Sequence, residues 1–83
     1  MIRIQKVNKG DNYYTIIFTE GKDAFGILIT LVDTRPMYVE FMKFDKNGKD
    51  IINVTEEDNP EEFNELKTKY FDHIMKYIKA QGN

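Results

Sequence analysis

The chain contains no cysteine, which excludes disulfide bonds, thiolate nucleophiles and zinc–thiolate sites. It also lacks serine and tryptophan, so threonine and tyrosine are the only hydroxyl side chains. The single histidine, His73, cannot form the histidine pair that many metal sites require. The glycines are isolated from one another, which excludes a glycine-rich phosphate loop. We therefore expect a protein that is not an enzyme and that binds no cofactor or metal ion.

Length and charge narrow the class of protein further. The 83 residues allow one domain, which we place over 1–83, and 12 basic against 14 acidic residues give no overall attraction to phosphate. The longest apolar stretch, Ala24 to Val32, is too short to cross a membrane, and residues 1–6 have no signal-peptide core. Together with the missing disulfides, these features favour a cytoplasmic protein. Abundant Ile, Lys and Asn with scarce Ala, Pro and Arg are typical of a low-GC bacterium or its phage.

Residues 1–55 alternate between apolar and polar side chains with the period of β-strands. Clusters of Gly, Asn, Asp and Pro interrupt this alternation and indicate short turns. The segments between the turns predict five strands: Met1–Val7, Tyr13–Thr19, Ala24–Val32, Met37–Asp45 and Ile51–Val54. Because the connecting turns are short, we expect the strands to form an antiparallel meander.

The turns also predict how neighbouring strands pair. A two-residue turn at Gly21-Lys22 places Phe18 opposite Phe25. An Asn47-Gly48 hairpin turn, which tolerates positive φ, places strand five beside strand four. The face of strand four that becomes buried depends on the turn at 33–36, because a slip of one residue exchanges its two faces.

The periodicity changes to that of a helix near Asn59, which we expect to be the N-cap, with Glu62 closing a capping box. The predicted helix spans about 60–80, and its apolar stripe comprises Phe63, Leu66, Tyr70, Ile74, Tyr77 and Ile78. The predicted fold class is therefore α+β: a five-stranded antiparallel meander sheet with one C-terminal α-helix packed on one face. The shared core should contain Phe18, Phe25, Ile27, Phe63, Leu66, Tyr70 and Ile74. Strands four and five should add Val39, Phe41, Ile52 and Val54.

One helix covers only one face of a sheet, so several large apolar residues remain on the other face. Monomers seldom expose large contiguous apolar patches, which favours a partner-binding role for this face. The candidate partner-binding residues are Tyr13, Ile17, Leu28, Tyr38, Met42, Phe44 and Ile51. The alternative is a sheet that curls and partly shields these side chains, diluted by Thr and Gly.

A run of acidic residues precedes the helix and continues into its first turn. The candidate acidic surface comprises Glu56, Glu57, Asp58, Glu61 and Glu62. The run lacks the spacing of a calcium-binding loop, and acids at a helix N-terminus are favoured by the helix dipole. These side chains could also mimic the phosphates of a nucleic acid.

The leading hypothesis is a small non-enzymatic protein-interaction module, such as an inhibitor or immunity-type protein of a phage or mobile element. It would bind a partner protein, or a second copy in a homodimer, through the open face of the sheet. The alternative is a single-stranded nucleic-acid-binding protein that uses the same face as a dimer. An antiparallel sheet followed by one long helix resembles, in topology alone, the transcriptional-coactivator family that binds single strands as a dimer. We expect no membrane partner.

Overall fold

The computed structural model describes residues 1–45 and 51–82 of the chain. Five antiparallel strands form one sheet in the order β1-β2-β3-β4-β5. They are β1 (Ile2–Lys9), β2 (Tyr13–Glu20), β3 (Asp23–Val32), β4 (Arg35–Phe44) and β5 (Ile51–Val54). A C-terminal helix follows, in two α-helical parts, α1 (Pro60–Leu66) and α2 (Asp72–Gly82), joined by a π-helical turn (Lys67–Phe71). The predicted fold class is confirmed.

The β2–β3 hairpin has the register expected from its turn. Gly21 adopts a φ of +62°, which glycine reaches without the steric cost that other residues incur. Phe18 pairs with Phe25, and Ile16 pairs with Ile27. The register of β4 and β5 is also as expected, with Phe44 opposite Ile51, although the Asn47-Gly48 turn lies outside the described residues.

The turn between β3 and β4 is tighter than its sequence indicates. Asp33 and Thr34 both have positive φ, 52° and 66°, which is the conformation of a two-residue type I′ turn. Arg35 and Pro36 therefore belong to β4, and a bulge inserts Met37 before Tyr38 pairs with Thr30. This bulge restores the phase in which Val39 and Phe41 face the helix.

A second bulge lies in β1, between Ile4 and Lys6. It inserts Gln5, whose side-chain amide donates a hydrogen bond to the Thr19 hydroxyl at 3.2 Å. Without the bulge, strict alternation would place Lys6 on the face of Ile2 and Ile4. With the bulge, the partly buried Val7 takes that place and contacts the core.

The helix begins where expected, but not by the expected capping. Asn59 is the N-cap residue and Pro60 occupies the first helical position, yet within the described part of the chain no side-chain hydrogen bond caps the helix. Glu62 does not close a capping box, because its carboxylate forms an ion pair with Lys43 of β4. Helix and sheet are thus joined at this end by a charge pair between two half-exposed side chains.

The π-helical turn keeps one side of the helix on the sheet. Leu66, Tyr70, Ile74 and Ile78 recur every four residues, and in a regular α-helix each such step overshoots a full turn by about 40°. A π-helical turn is wider, with hydrogen bonds from i to i+5, and reduces this drift. All four residues are buried, and Tyr77 packs at the edge of the core, partly buried.

The core lies between the helix and one face of the sheet, and all seven residues predicted for it are buried. Phe18, Phe25 and Tyr70 form an aromatic cluster with ring-centroid separations of 5.0 to 5.5 Å. One expected member is wrong: Ile52 is 56% exposed. Ile52 points to the helix side of the sheet, but it lies on the outermost strand. Val54, which pairs with Phe41, is the β5 residue that becomes buried.

Candidate interaction surfaces

The side of the sheet opposite the helix, here called the open face, carries all seven candidate partner-binding residues. Their place follows from period two, because each alternates along its strand with residues that face the helix. Tyr38, Met42 and Phe44 alternate with Val39, Phe41 and Lys43 on β4. The other four are Tyr13, Ile17, Leu28 and Ile51.

The centre of the open face is partly shielded by its own side chains. Gly26 is buried, and a Cβ atom added there would lie 2.9 Å from Met42 Cε and 3.5 Å from the Phe44 ring. Met42 and Phe44 therefore lie across the glycine, which provides the shallow space they occupy. Ile17 and Leu28 are likewise half-buried, so the sheet partly shields itself as the alternative interpretation expected.

The periphery of the open face remains accessible. Tyr13, Tyr38 and Ile51 are 42%, 46% and 55% exposed. They surround the half-buried centre, so the face combines a packed apolar middle with exposed aromatic and aliphatic side chains at its margins. This arrangement provides apolar area that a partner could remove from water.

Charged side chains on the open face are unevenly placed. Arg3 and Lys6 lie on β1, at one edge of the sheet. Glu40 lies on β4, toward the opposite edge, where its carboxylate accepts a 2.7 Å hydrogen bond from the Tyr38 hydroxyl. This bond, followed by loss of hydration and the negative charge of Glu40, raises the pKa of Tyr38 above its ordinary value. Arg35, opposite Val32 at the start of β4, adds a cation at one end of that strand. The open face is therefore positive along β1 and mixed in charge along β4.

The five acidic candidates do not form one surface. Glu56, Glu57 and Asp58 lie in an exposed turn beside β4, whereas Glu62 is paired with Lys43. Glu61 lies on the outer side of the helix. A phosphate mimic would require a regular row of free carboxylates, and the ion pair of Glu62 removes one of the five.

Sequence reasoning missed a groove along the outer edge of β4, here called the β4 groove. It has a volume of about 680 Å³ and lies between the first half of β4, the turn at 55–58 and the helix. Its apolar lining includes Val39, Phe63 and Phe71, and the exposed bulge residue Met37 also lines it. The strand lengths were the available signal, because a four-residue β5 cannot pair with all ten residues of β4.

The groove is bordered by negative charge. Its lining includes the carboxylates of Glu40, Glu56, Glu57 and Asp58. Lys67 contributes a cation on the helix side, with its ammonium 5.5 Å from the centre of the Phe71 ring. The charges of Asp58 and Glu57 also contribute to the raised pKa of Tyr38, which indicates a negative potential at this edge.

No group of three or more metal-ligating side chains occurs in the part of the chain that the structure describes. His73 is exposed on α2, away from both surfaces. Within 1–45 and 51–82, no helix is long and apolar enough to span a membrane. Comparisons with protein-family models, with curated proteins and with solved structures found no match to this chain.

Proposed function

We propose that this chain is a small non-enzymatic protein-interaction module that binds a partner protein through the open face of its sheet. The observation that supports the proposal is the contrast between the two faces, because the helix covers only one. Tyr13, Tyr38 and Ile51 remain accessible around a half-buried apolar centre on the other. Aromatic side chains of this kind are enriched where proteins bind one another.

The size of the face suits a specific protein contact. The five strands hold 40 residues, and at a rise of about 3.3 Å per residue and a strand spacing of about 4.8 Å they give a face of roughly 600 Å². A stable protein–protein interface of ordinary size removes about 800 Å² from each partner. An interface that also used the margins of the sheet would therefore fall within the ordinary range.

The charge pattern favours a protein partner over a single-stranded nucleic acid. A nucleic-acid platform combines stacking aromatic residues with a basic groove that follows the phosphates. Here Tyr38 lies beside the carboxylate of Glu40, and the cations Arg3 and Lys6 lie across the sheet on β1. A phosphate chain that stacked on Tyr38 would approach a negative charge.

The composition extends this proposal to a cellular setting. The chain is acidic and free of cysteine, and its amino-acid usage is typical of a low-GC genome. These features support a cytoplasmic inhibitor or immunity-type protein of a phage or mobile element. In that role the protein would act by occupying a surface on its partner, and it would need no catalytic group. A homodimer through the open face is the competing form of the same contact.

The test compares two variants that add the same charge in different places. Phe44→Asp introduces a carboxylate on the open face, and Asn64→Asp introduces one on the exposed side of α1. Tagged versions of both variants and the unchanged protein are used for capture from host lysate, and the mass of each in solution is measured by light scattering. We expect Phe44→Asp to lose a captured protein that Asn64→Asp retains.

Several outcomes would contradict the proposal. If both variants retain the same partners, the open face is not the binding surface. If Phe44→Asp converts a dimer to a monomer and no other protein is captured, the partner is a second copy. If nuclease treatment abolishes the capture, the ligand is a nucleic acid. Circular dichroism of Phe44→Asp verifies that the variant remains folded.

A further inference from the structure

Among the residues that the structure describes, none pairs with the outer edge of the first half of β4. β5 pairs only with Phe41–Phe44, so within the described residues no strand borders Arg35–Glu40 on that side. Along an edge strand, the N–H and C=O groups of alternate residues point outward without a partner in the sheet. Pro36 lies in this edge and has no N–H to donate, so the edge offers fewer donors than a regular strand. Such an edge is a template to which an extended peptide can add as a further strand.

The β4 groove lies along this edge, where β5 would continue if it were longer. After Val54 the chain leaves the sheet, and the turn that follows is fixed by two hydrogen bonds. The Asn59 amide donates to the Thr55 carbonyl at 2.9 Å, and the Asp58 amide donates to the Thr55 hydroxyl at 3.1 Å. The turn therefore forms one wall of the β4 groove, and it does not cover the edge of β4 along which the groove runs.

The two sides of the groove differ in chemistry. An added strand directs alternate side chains to opposite sides of the sheet. On the helix side they would meet the apolar residues Val39, Phe63 and Phe71, with the Lys67 ammonium beside the Phe71 ring. On the other side they would meet Tyr38 and the carboxylate of Glu40. The groove is thus complementary to a segment that alternates apolar and basic residues.

The acidic turn strengthens the preference for positive charge. Glu56, Glu57 and Asp58 are exposed, and all three line the groove beside the free edge. Complementary charge speeds association and disfavours partners of like charge. We propose that the β4 groove binds an extended, positively charged segment of a partner protein as an added β-strand.

This site is separate from the surface of the proposed function, apart from the shared Tyr38. The open face would bind through apolar area, whereas the groove binds through backbone hydrogen bonds and charge. Failure of one proposal therefore leaves the other standing. The bulge at Met37 ends the regular edge, so the added strand is short, and we expect weak binding that decreases as salt increases.

The probe is a blocked peptide that alternates lysine and valine, labelled for fluorescence anisotropy. Its matched control replaces lysine with glutamate, and a third peptide carries methyl groups on alternate backbone nitrogen atoms. We expect the lysine peptide alone to bind, because the glutamate peptide is repelled and the methylated one cannot complete the strand pairing. Hydrogen exchange should slow in the complex at those amides within Tyr38–Glu40 that point away from β3.

Two double variants with the same change in charge distinguish binding in the groove from attraction of the basic peptide to acidic residues elsewhere on the protein. Glu56→Gln with Glu57→Gln neutralises the groove, and we expect it to weaken peptide binding about five- to tenfold. Glu65→Gln with Asp72→Asn neutralises two exposed acids on the helix and should leave binding within about twofold.

Each other result would overturn the proposal. Equal weakening by the two double variants would show unspecific attraction, and no binding at millimolar protein would show that the edge accepts no strand. Retained binding of the methylated peptide would exclude strand addition. Slowed exchange at Tyr38–Glu40 at high protein concentration without peptide would identify a second copy as the occupant.

Discussion

The two faces of the sheet are built from the same strands, yet they differ sharply in burial. On the covered face Ile16, Phe18, Ile27 and Phe41 are completely buried. On the open face, Ile17 and Phe44 lie in the same strands and remain partly accessible. Strand alternation supplies apolar residues to both faces, and the position of a single helix decides which face becomes the core.

The faces also differ in how their side chains pack. The covered face has large side chains in contact with the helix, including the edge-to-face pair of Phe41 and Phe63 at 5.6 Å. The open face intersperses its large residues with Thr15, Thr30 and Gly26, so its contacts are shallow. A residue on the covered face should therefore contribute much more to stability than a residue of the same type on the open face.

Phe41 and Phe44 provide the largest test of this difference, because they are the same residue type on one strand. We expect Phe41→Ala to lower the free energy of unfolding by about 3–5 kcal/mol, since it leaves a cavity under the helix. Phe44→Ala should cost about 1 kcal/mol, because that side chain is already partly solvated. Urea unfolding followed by circular dichroism measures both values.

Equal losses of unfolding free energy in Phe41→Ala and Phe44→Ala would mean that the open face is buried as fully as the covered face. An obligate dimer would bury it in this way. Repeating the measurement over a range of protein concentrations tests that case. The midpoint of an obligate dimer depends on concentration, and the midpoint of a monomer does not.

Tyr70 provides an intermediate test on the covered face. Burial, together with a 2.7 Å hydrogen bond to Glu20 and that residue's charge, raises the pKa of Tyr70 to about 12. Below about pH 10 the Tyr70 hydroxyl is neutral in both the folded and the unfolded chain. Between about pH 10 and 12 the hydroxyl ionises in the unfolded chain but stays neutral in the folded one. Ionisation therefore favours the unfolded chain, and the free energy of unfolding falls as pH rises through this range.

The corresponding variant is Tyr70→Phe, which removes this group. We expect the unchanged protein to lose on the order of 2 kcal/mol more than Tyr70→Phe between pH 9 and pH 12. Urea midpoints of both proteins, measured side by side at several pH values, give this difference because the lysines titrate alike in both. Parallel curves would show that the Tyr70 hydroxyl is solvated.

The smallest expected effect concerns Ile51, which is 55% exposed on the open face. Replacing it with Thr keeps a β-branched side chain on β5, so we expect a change within about 0.5 kcal/mol. In a domain of this size that corresponds to a melting temperature within about 4 °C of the unchanged protein. A larger loss would place Ile51 in a contact that the isolated chain lacks.

The sequence was sufficient to predict the pairing of β2 with β3 and of β4 with β5. Period two and a two-residue turn at Gly21-Lys22 leave one pairing that buries Phe18, Phe25 and Ile27 together. Placing Val39 and Phe41 of β4 toward the helix is the assignment that buries the most apolar side chains. The structure has this arrangement because the bulge at Met37 shifts the alternation of β4 by one residue. A bulge of this kind depends on contacts distant in sequence, so local pattern does not reveal it.

The β4 groove and the placement of the acids could not be predicted in the same way. The groove requires β5 to end at Val54 while β4 continues, and it requires the π-helical turn to bring Lys67 and Phe71 to its wall. The sequence predicts Glu62 as a helix-capping residue, but its carboxylate pairs with Lys43 on β4 instead. Both features depend on tertiary contacts between distant segments.

The helix follows all five strands in the chain, and this order matters during synthesis. Every strand pairs with its neighbour in sequence, so the sheet can assemble through local hairpins as the chain emerges. At a translation rate of about 5–20 residues per second, the segment Pro60–Gly82 takes roughly 1–5 s to be made. During that interval Phe18 is as accessible to chaperones and to other nascent chains as Phe44. Because the helix is made after the strands, its docking ends the period in which the two faces are equivalent.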